Sequence, residues 1–346
     1  MKLSVLDQTP IRRNSNAKEA LAESLDLVQL AERLGYTRYW ISEHHNFGSL
    51  AAAAPEVLLA RLGSVTKTIR LGSGGIMLPN HSALKVSENF RLLEALFPGR
   101  IDLGIGRAPG GDRLTASLLN PSNTFDPNDY IQQIKALKAF LTDDKIPGTV
   151  HEKVKAIPVI DTAPELWMLT SSGESAYMAA HFGMALSYAA FINPHGGAEA
   201  IEAYTKLFKP SEALKHPQAS VGIFVFCSAS EERVARTQAV MDYRLLSISR
   251  GDAGESPDYE YVKSKLYSSD EHKVIQYNRD RMIVGTPDVV KQKLTNLASS
   301  HNVDEVILAT FAETHEERLR SYELVAKEFL GDERKTKSAE GVVSKA

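Results

Sequence analysis

Cysteine is almost absent from this sequence. One residue, Cys227, stands among 346, so neither an internal disulfide nor a thiolate zinc cage can form. An excess of positive charge is also missing. Forty Lys and Arg against 43 Asp and Glu leave a net charge of −3, which supplies no general affinity for nucleic acid. No apolar run approaches the roughly 18 residues of a membrane span. The first apolar run, residues 3–6, is too short for the core of a secretory signal. A cytoplasmic protein without membrane or nucleic-acid partners is expected. What is present in ordinary measure, 43% apolar and 24% charged residues, suits a globular fold. The chemistry must be sought in the pattern.

Short apolar runs alternate with amphipathic stretches along the chain. After residues 3–6, Asn14, Ser15 and Asn16 offer capping oxygens before a helical pattern of Leu21, Leu25 and Val28. Gly35 stands where such a helix usually ends. Runs at 39–41, 69–78, 101–105, 166–170, 185–191, 221–227 and 303–310 predict further strands. Pro55 suits a first helical turn, with Leu58, Leu59 and Leu62 continuing the helix. Val86, Phe90 and Leu93 mark the next helix, and Ile131, Ile134, Leu137 and Leu141 the one after. Helical patterns at 174–182, 198–208, 231–246 and 316–330 follow the last four strands.

Eight β-then-α units in strict alternation point to parallel strands with helical crossovers, closed into a (β/α)8 TIM barrel. The competing fold, an open doubly wound sheet, needs a glycine-rich first turn, and residues 3–9 contain no glycine. A barrel takes about 250 residues. The surplus falls at 110–128, 143–164 and 250–287, insertions after strands four and seven of the kind that form lids and pockets. Residues 1–330 are read as one barrel domain. Residues 331–346 are expected to form a disordered tail.

In a barrel, chemistry gathers where strands end and βα loops begin. Strand two runs into Ser42-Glu43-His44-His45. Adjacent residues on an extended chain point to opposite sides, so at most one histidine faces the mouth while the other supports it. A neutral imidazole there suits a general base near pH 7; a hydrogen-bonded structural histidine fits the same string. A zinc site needs three or four converging ligands, which the other strand ends do not supply, and no metal is expected. Strand three carries Gly72-Ser73-Gly74-Gly75, either a barrel bend or a side-chain-free wall for a flat ring. Strand four ends Gly106-Arg107-Ala108, where an arginine among small residues can reach a phosphate. Strand five ends Thr170-Ser171-Ser172-Gly173-Glu174-Ser175 and enters a helix. Helix capping alone explains those hydroxyls, but free N–H groups at a helix start also bind anions. With Arg107 on the adjacent strand, the two elements should meet around one phosphate.

Taken together, these stretches resemble the bacterial luciferase-like family of flavin-dependent monooxygenases. The likeness rests on Trp40-Ile41-Ser42-Glu43-His44-His45, on Gly72-Ser73-Gly74-Gly75-Ile76-Met77, and on Phe97-Pro98-Gly99-Arg100-Ile101-Asp102-Leu103-Gly104-Ile105-Gly106-Arg107. Ser171-Ser172-Gly173-Glu174-Ser175-Ala176 and Ile283-Val284-Gly285-Thr286-Pro287 complete five motifs in order. The family fold is a TIM barrel. The resemblance implies FMN at the barrel mouth, its phosphate held by Arg107 and the backbone of Ala108 on one side and by Ser171, Ser172 and Ser175 on the other. It places the isoalloxazine against Gly74 and Gly75, where the family often has a cis non-proline peptide, and beside Gly106. His44 corresponds to the catalytic histidine, His45 to its neighbour, and Tyr188 to an aromatic position by the flavin.

The implied reaction is monooxygenation. Reduced FMN from a separate flavin reductase would react with O₂ to a C4a-peroxyflavin that oxidises a small aldehyde- or ketone-like substrate. Hydride transfer by the deazaflavin F420, and flavin binding without turnover, are the alternative readings. True luciferases have a cysteine where this chain has Gly106 and an acidic residue where it has Ser171, so a related oxygenase is expected rather than a light emitter. Family members are usually dimers across the helices after strands two and three, and a homodimer is expected here.

Overall fold

Alternate residues of each strand face two different neighbours. In β1 (Lys2–Asp7), Leu3 and Val5 join the apolar layer between strands and helices, whereas Leu6 joins Trp40 and Trp167 inside the ring. The same division runs through β2 (Arg38–Ile41), β3 (Arg70–Met77), β4 (Ile101–Gly106), β5 (Glu165–Thr170), β6 (Ala185–Ala189) and β7 (Ala219–Cys227). Two shorter strands follow, β8 (Met282–Gly285) and β9 (Glu305–Ala309). The computed structural model describes residues 1–124, 126–252, 254 and 257–331; the expected tail, apart from Gly331, lies outside them.

The first seven strands pair in sequence, all parallel, and β9 bonds to both β7 and β1. An eight-stranded parallel barrel is thereby closed, as the alternation of units predicts. β8 stands outside the ring and pairs only with the C-terminal half of β7, Phe224 to Cys227. It lies in the 250–287 stretch, which the sequence reading leaves as an insertion. Four residues on a single neighbour carry too short an alternation to announce a strand.

The crossovers are α1 (Ala17–Leu34), α2 (Pro55–Gly63), α3 (Ala83–Leu96), α4 (Arg113–Leu119), α5 (Pro127–Thr142), α6 (Gly173–Phe182) and α7 (Gly197–Leu207). The rest are α8 (Glu231–Ser249), α9 (Tyr259–Lys263), α10 (Ser269–Arg279), α11 (Pro287–His301) and α12 (His315–Phe329). Asn16 caps α1 by accepting from the Glu19 N–H, and Gly35 ends it at φ 86°, the left-handed conformation glycine adopts without a Cβ clash. α4, α9 and α10 occupy the insertions; α11, which the sequence reading omits, carries the chain from β8 to β9. Among the described residues no helix is long and apolar enough to cross a membrane.

A polar layer near the strands' N-terminal ends forms the floor beneath the site. Arg38 Nε donates to Glu305 Oε1 at 2.6 Å and Nη1 to Asp102 Oδ2 at 2.7 Å. Ser4 and Trp40 donate to the same two carboxylates, and Arg70 reaches Asp102 Oδ1 at 2.5 Å. Buried charges persist only when paired and hydrogen-bonded in this way.

Candidate active site

The C-terminal ends of the strands open into a cavity of about 1050 Å³. Its floor comes from Gly74, Gly106 and Leu169, inward-facing positions of β3, β4 and β5. Ser42 and His44 enter from the loop after β2, and Arg107 and Ala108 from the loop after β4. Ser171, Ser172 and Ser175 come from the start of α6, while Met241, Arg244 and Leu245 reach in from α8. The sequence-derived candidates His44, Gly74, Gly106, Arg107, Ala108, Ser171, Ser172 and Ser175 thus line one cavity.

His45, Gly75 and Tyr188 do not line it. Tyr188 sits on the outward face of β6, between Ser187 and Ala189, and packs in the layer beneath the helices. Its hydroxyl donates to the His195 carbonyl at 2.5 Å and lies 3.4 Å from the carbonyl of the cavity-lining Ser171, so it supports the loop and the cavity wall from behind. Gly75 lies between β3 and β4: a Cβ there would come 2.7 Å from the Gly104 carbonyl oxygen. The Gly74–Gly75 peptide is cis.

The two histidines divide as strand alternation requires. His44 Nδ1 lies 3.1 Å from the Ser42 hydroxyl, and its ring meets Phe47 edge-on at 5.7 Å. Burial pulls its pKa down to about 4 against the attraction of the Glu43 carboxylate, so the imidazole is neutral at pH 7. His45 turns away, with Nε2 2.6 Å from Oε1 of the fully buried Glu43. His81 Nε2 reaches the same oxygen at 2.8 Å, and the Met77 N–H donates to Oε2 at 2.9 Å. Burial would raise the Glu43 pKa, but its bonds to His81, His45 and Met77 hold it below the usual value. Glu43, His45 and His81 bring ligand-type atoms within 4.8 Å of one another. Hydrogen bonding accounts for the grouping: together they fix the loop that presents His44. His81 belongs to no motif singled out in the sequence; its one signal is its place just after β3.

Arg107 and α6 meet as expected. Arg107 Nη2 contacts Glu174 Oε2 at 2.7 Å, in the first turn of that helix. Ser172 occupies the N-cap position, yet its side chain makes no capping bond. The first N–H groups of α6 have no partner within the helix, and Ser172 and Ser175 of this turn line the cavity, with the Arg107 guanidinium bonded to Glu174 between them in sequence. On the floor, Gly74 presents bare backbone. A Cβ there would meet Leu6 Cδ1 at 2.7 Å and Trp40 Cβ at 3.0 Å. A flat wall beside an anion pole fits a planar cofactor that carries a phosphate. Cys227, the lone thiol, is buried on β7, and its pKa is pushed up to about 12 by burial.

A TIM barrel with its strand ends gathered around such a cavity defines the class. Within it, the model of the luciferase-like monooxygenase family matches residues 1–301, and the chain belongs to that family. It is 44% identical to YwcH of Bacillus subtilis over 330 residues, 95% of this chain and 99% of the relative. It is 35% identical over 331 residues to a luciferase-like monooxygenase of Escherichia coli, 95% and 98% of the two chains. An N-acetyl-S-alkylcysteine monooxygenase of B. subtilis is 32% identical over 96% of this chain and 100% of its own. Among solved structures, apo-MsnO8 superposes with a TM-score of 0.88 at 34% identity, covering 95% and 98%. The fold alone is shared with the oxygenating constituent of 3,6-diketocamphane monooxygenase in complex with FMN (TM-score 0.68, 19% identity). It is also shared with an F420-dependent secondary alcohol dehydrogenase (0.68, 11%).

Proposed function

We propose that this protein is an FMN-dependent monooxygenase that oxidises a small aldehyde- or ketone-like substrate, with reduced flavin supplied by a separate reductase. The observation that carries the reading is the convergence of Arg107 with the uncapped start of α6, in the same cavity as bare Gly74 and neutral His44. Reduced FMN supplies, when bound, the electrons that activate O₂. The chain's own residues perform the remaining tasks. Arg107 and the α6 N–H groups hold a phosphate by charge-assisted hydrogen bonds. Gly74 lets a ring approach the backbone. His44, uncharged at pH 7 and lining the cavity, takes up or returns a proton at its imidazole. Phe224, Met241, Leu245 and Phe311 exclude water from the reacting centre. We further propose a homodimer formed across α2 and α3, where Val57, Leu92 and Leu96 are exposed.

The test is a flavin titration of apoprotein followed by O₂ uptake with a flavin reductase and a panel of aldehydes, ketones and thioethers. FMN should bind more tightly than F420, and one panel member should be oxygenated with matching O₂ consumption. Tighter F420 binding, with hydride transfer and no O₂ uptake, overturns the oxygenase reading. Retention of FMN with no turnover on any class would leave a flavin-binding protein.

A further inference from the structure

α8 lays one face over the barrel mouth: Met241, Arg244, Leu245 and Ile248 line the cavity at i, i+3, i+4 and i+7. Three of these are apolar and the fourth is an arginine. The Arg244 guanidinium stands 4.8 Å from the centre of the Phe311 ring. Among the described residues it has neither a hydrogen-bond acceptor nor a carboxylate within ion-pair distance. Asp252, Asp258 and Glu260 line the same cavity, but Asp252 accepts from the Gly254 N–H, Asp258 pairs with Arg13, and the Glu260 charge acts on Arg236.

The fully buried arginines behave differently. Arg38 pairs with Asp102 and Glu305, Arg91 with Asp143, and Arg318 with Asp7. Arg244 is partly buried, with the Phe311 ring but no counter-charge beside it, and burial pulls its pKa down to about 10. Removing a cation from water without a counter-charge is costly, so an unpaired one facing a cavity marks a place for an anion. Arg281 lines the same cavity; its Nε donates to the Phe191 carbonyl at 2.8 Å and Nη1 to Asn278 Oδ1 at 2.9 Å. It too has no carboxylate partner among the described residues.

Position separates this pole from the first. In the ring β1-β2-β3-β4-β5-β6-β7-β9, the strand that leads to Arg107 and the strand that leads to Phe311 are opposite each other. A phosphate held at Arg107 and α6 therefore leaves Arg244 free for a second anion across the mouth. We propose that Arg244, backed by Phe311 and assisted by Arg281, receives the carboxylate of an anionic substrate and orients its apolar remainder toward the cavity floor. This deepens the oxygenase reading and rests on it only in assigning the Arg107 pole to FMN.

The test uses hexanoate and hexanamide as probes, matched in shape but not in charge, and calorimetric titration of FMN-saturated protein without reductase. Hexanoate should bind at least about tenfold more tightly than hexanamide, as expected for a desolvated charge-assisted pair. Arg244→Met should abolish that preference and Arg244→Lys retain part of it, with FMN affinity unchanged in both. Equal binding of the two probes by the wild-type protein overturns the proposal, and that comparison stands even if a variant fails to fold. A preference that survives Arg244→Met also overturns it. So does a loss of FMN but not riboflavin affinity in Arg244→Met, which would assign Arg244 to the cofactor phosphate. Should the protein not take up FMN, the oxygenase reading fails on its own. The same titration in Arg107→Ala then removes the competing pole and still decides the role of Arg244.

Discussion

His45 Nε2 lies 2.6 Å from Oε1 of the buried Glu43, while the neighbouring His44 faces the cavity. One histidine is positioned for chemistry and the other for support. His44→Ala should keep FMN affinity and melting temperature near those of the wild type and lower turnover by about 10²-fold or more. His45→Ala leaves Glu43 short of a donor and should cost about 1–3 kcal/mol of stability, read by denaturant unfolding. If His44→Ala left turnover intact, the imidazole would have no part in proton transfer.

The Glu43 and His81 pair makes a separate pH prediction. Burial would lower the His81 pKa, but its bond to Glu43 and that carboxylate's charge raise it above the usual 6.5. A raised folded-state pKa stabilises fully below the unfolded value and is lost as pH rises through the folded one. The stability difference between wild type and His81→Gln should therefore be larger at pH 5.5 than at pH 8.5. Urea unfolding at the two values checks it, and an equal difference would mean that His81 is not held as a cation. His44 behaves in the opposite sense. With a folded pKa near 4, it favours unfolding as pH falls from about 6.5 toward 4, and because it stays neutral above that range its titration adds no pH dependence to turnover near neutrality.

Arg107→Ala should weaken FMN by about tenfold or more and riboflavin hardly at all, because only FMN carries the phosphate. Fluorescence titration with both flavins measures this. Equal losses would place the phosphate elsewhere. Freed of its partner, Glu174 would then face the α6 start as a competing anion, so the double variant Arg107→Ala/Glu174→Gln should recover part of the affinity.

How far such a site can be read from sequence depends on the range of its contacts. The ring strands and most crossovers follow from local periodicity, as Leu21, Leu25 and Val28 do for α1. The pairing of Arg107 with the α6 start follows as well, because both lie at the ends of adjacent strands. β8 and α11 carry weaker signals. β8 leans on a single neighbour, and the buried face of α11 is little more than Val290, Leu294 and Ala298 among lysines. Tyr188 shows the limit of analogy: strand parity turns it outward between Ser187 and Ala189. Glu43 with His81, and Arg244 with Phe311, come together only when the ring closes. Nothing local records those meetings.

The glycines of β3 and β4 separate a requirement of folding from one of binding. A Cβ on Gly104 would come 2.2 Å from the Ser73 carbonyl oxygen, and one on Gly75 2.7 Å from that of Gly104. Both meet backbone of the neighbouring strand, and Gly75 also Leu169 Cδ1 at 2.5 Å, in a ladder whose register already shifts between Gly74 and Ile76. A Cβ on Gly106 would meet only the Met77 side chain, its sulfur at 3.2 Å and Cε at 3.7 Å, the far end of a flexible side chain. Gly104→Ala and Gly75→Ala should therefore lose about 1–3 kcal/mol of stability, seen as a lower denaturant midpoint even without flavin. Gly106→Ala should unfold like the wild type, yet bind FMN more weakly, because its methyl group projects beside the wall on which a ring would lie. If Gly106→Ala instead lowered stability and left FMN affinity unchanged, this part of β4 would serve the barrel and not the cofactor.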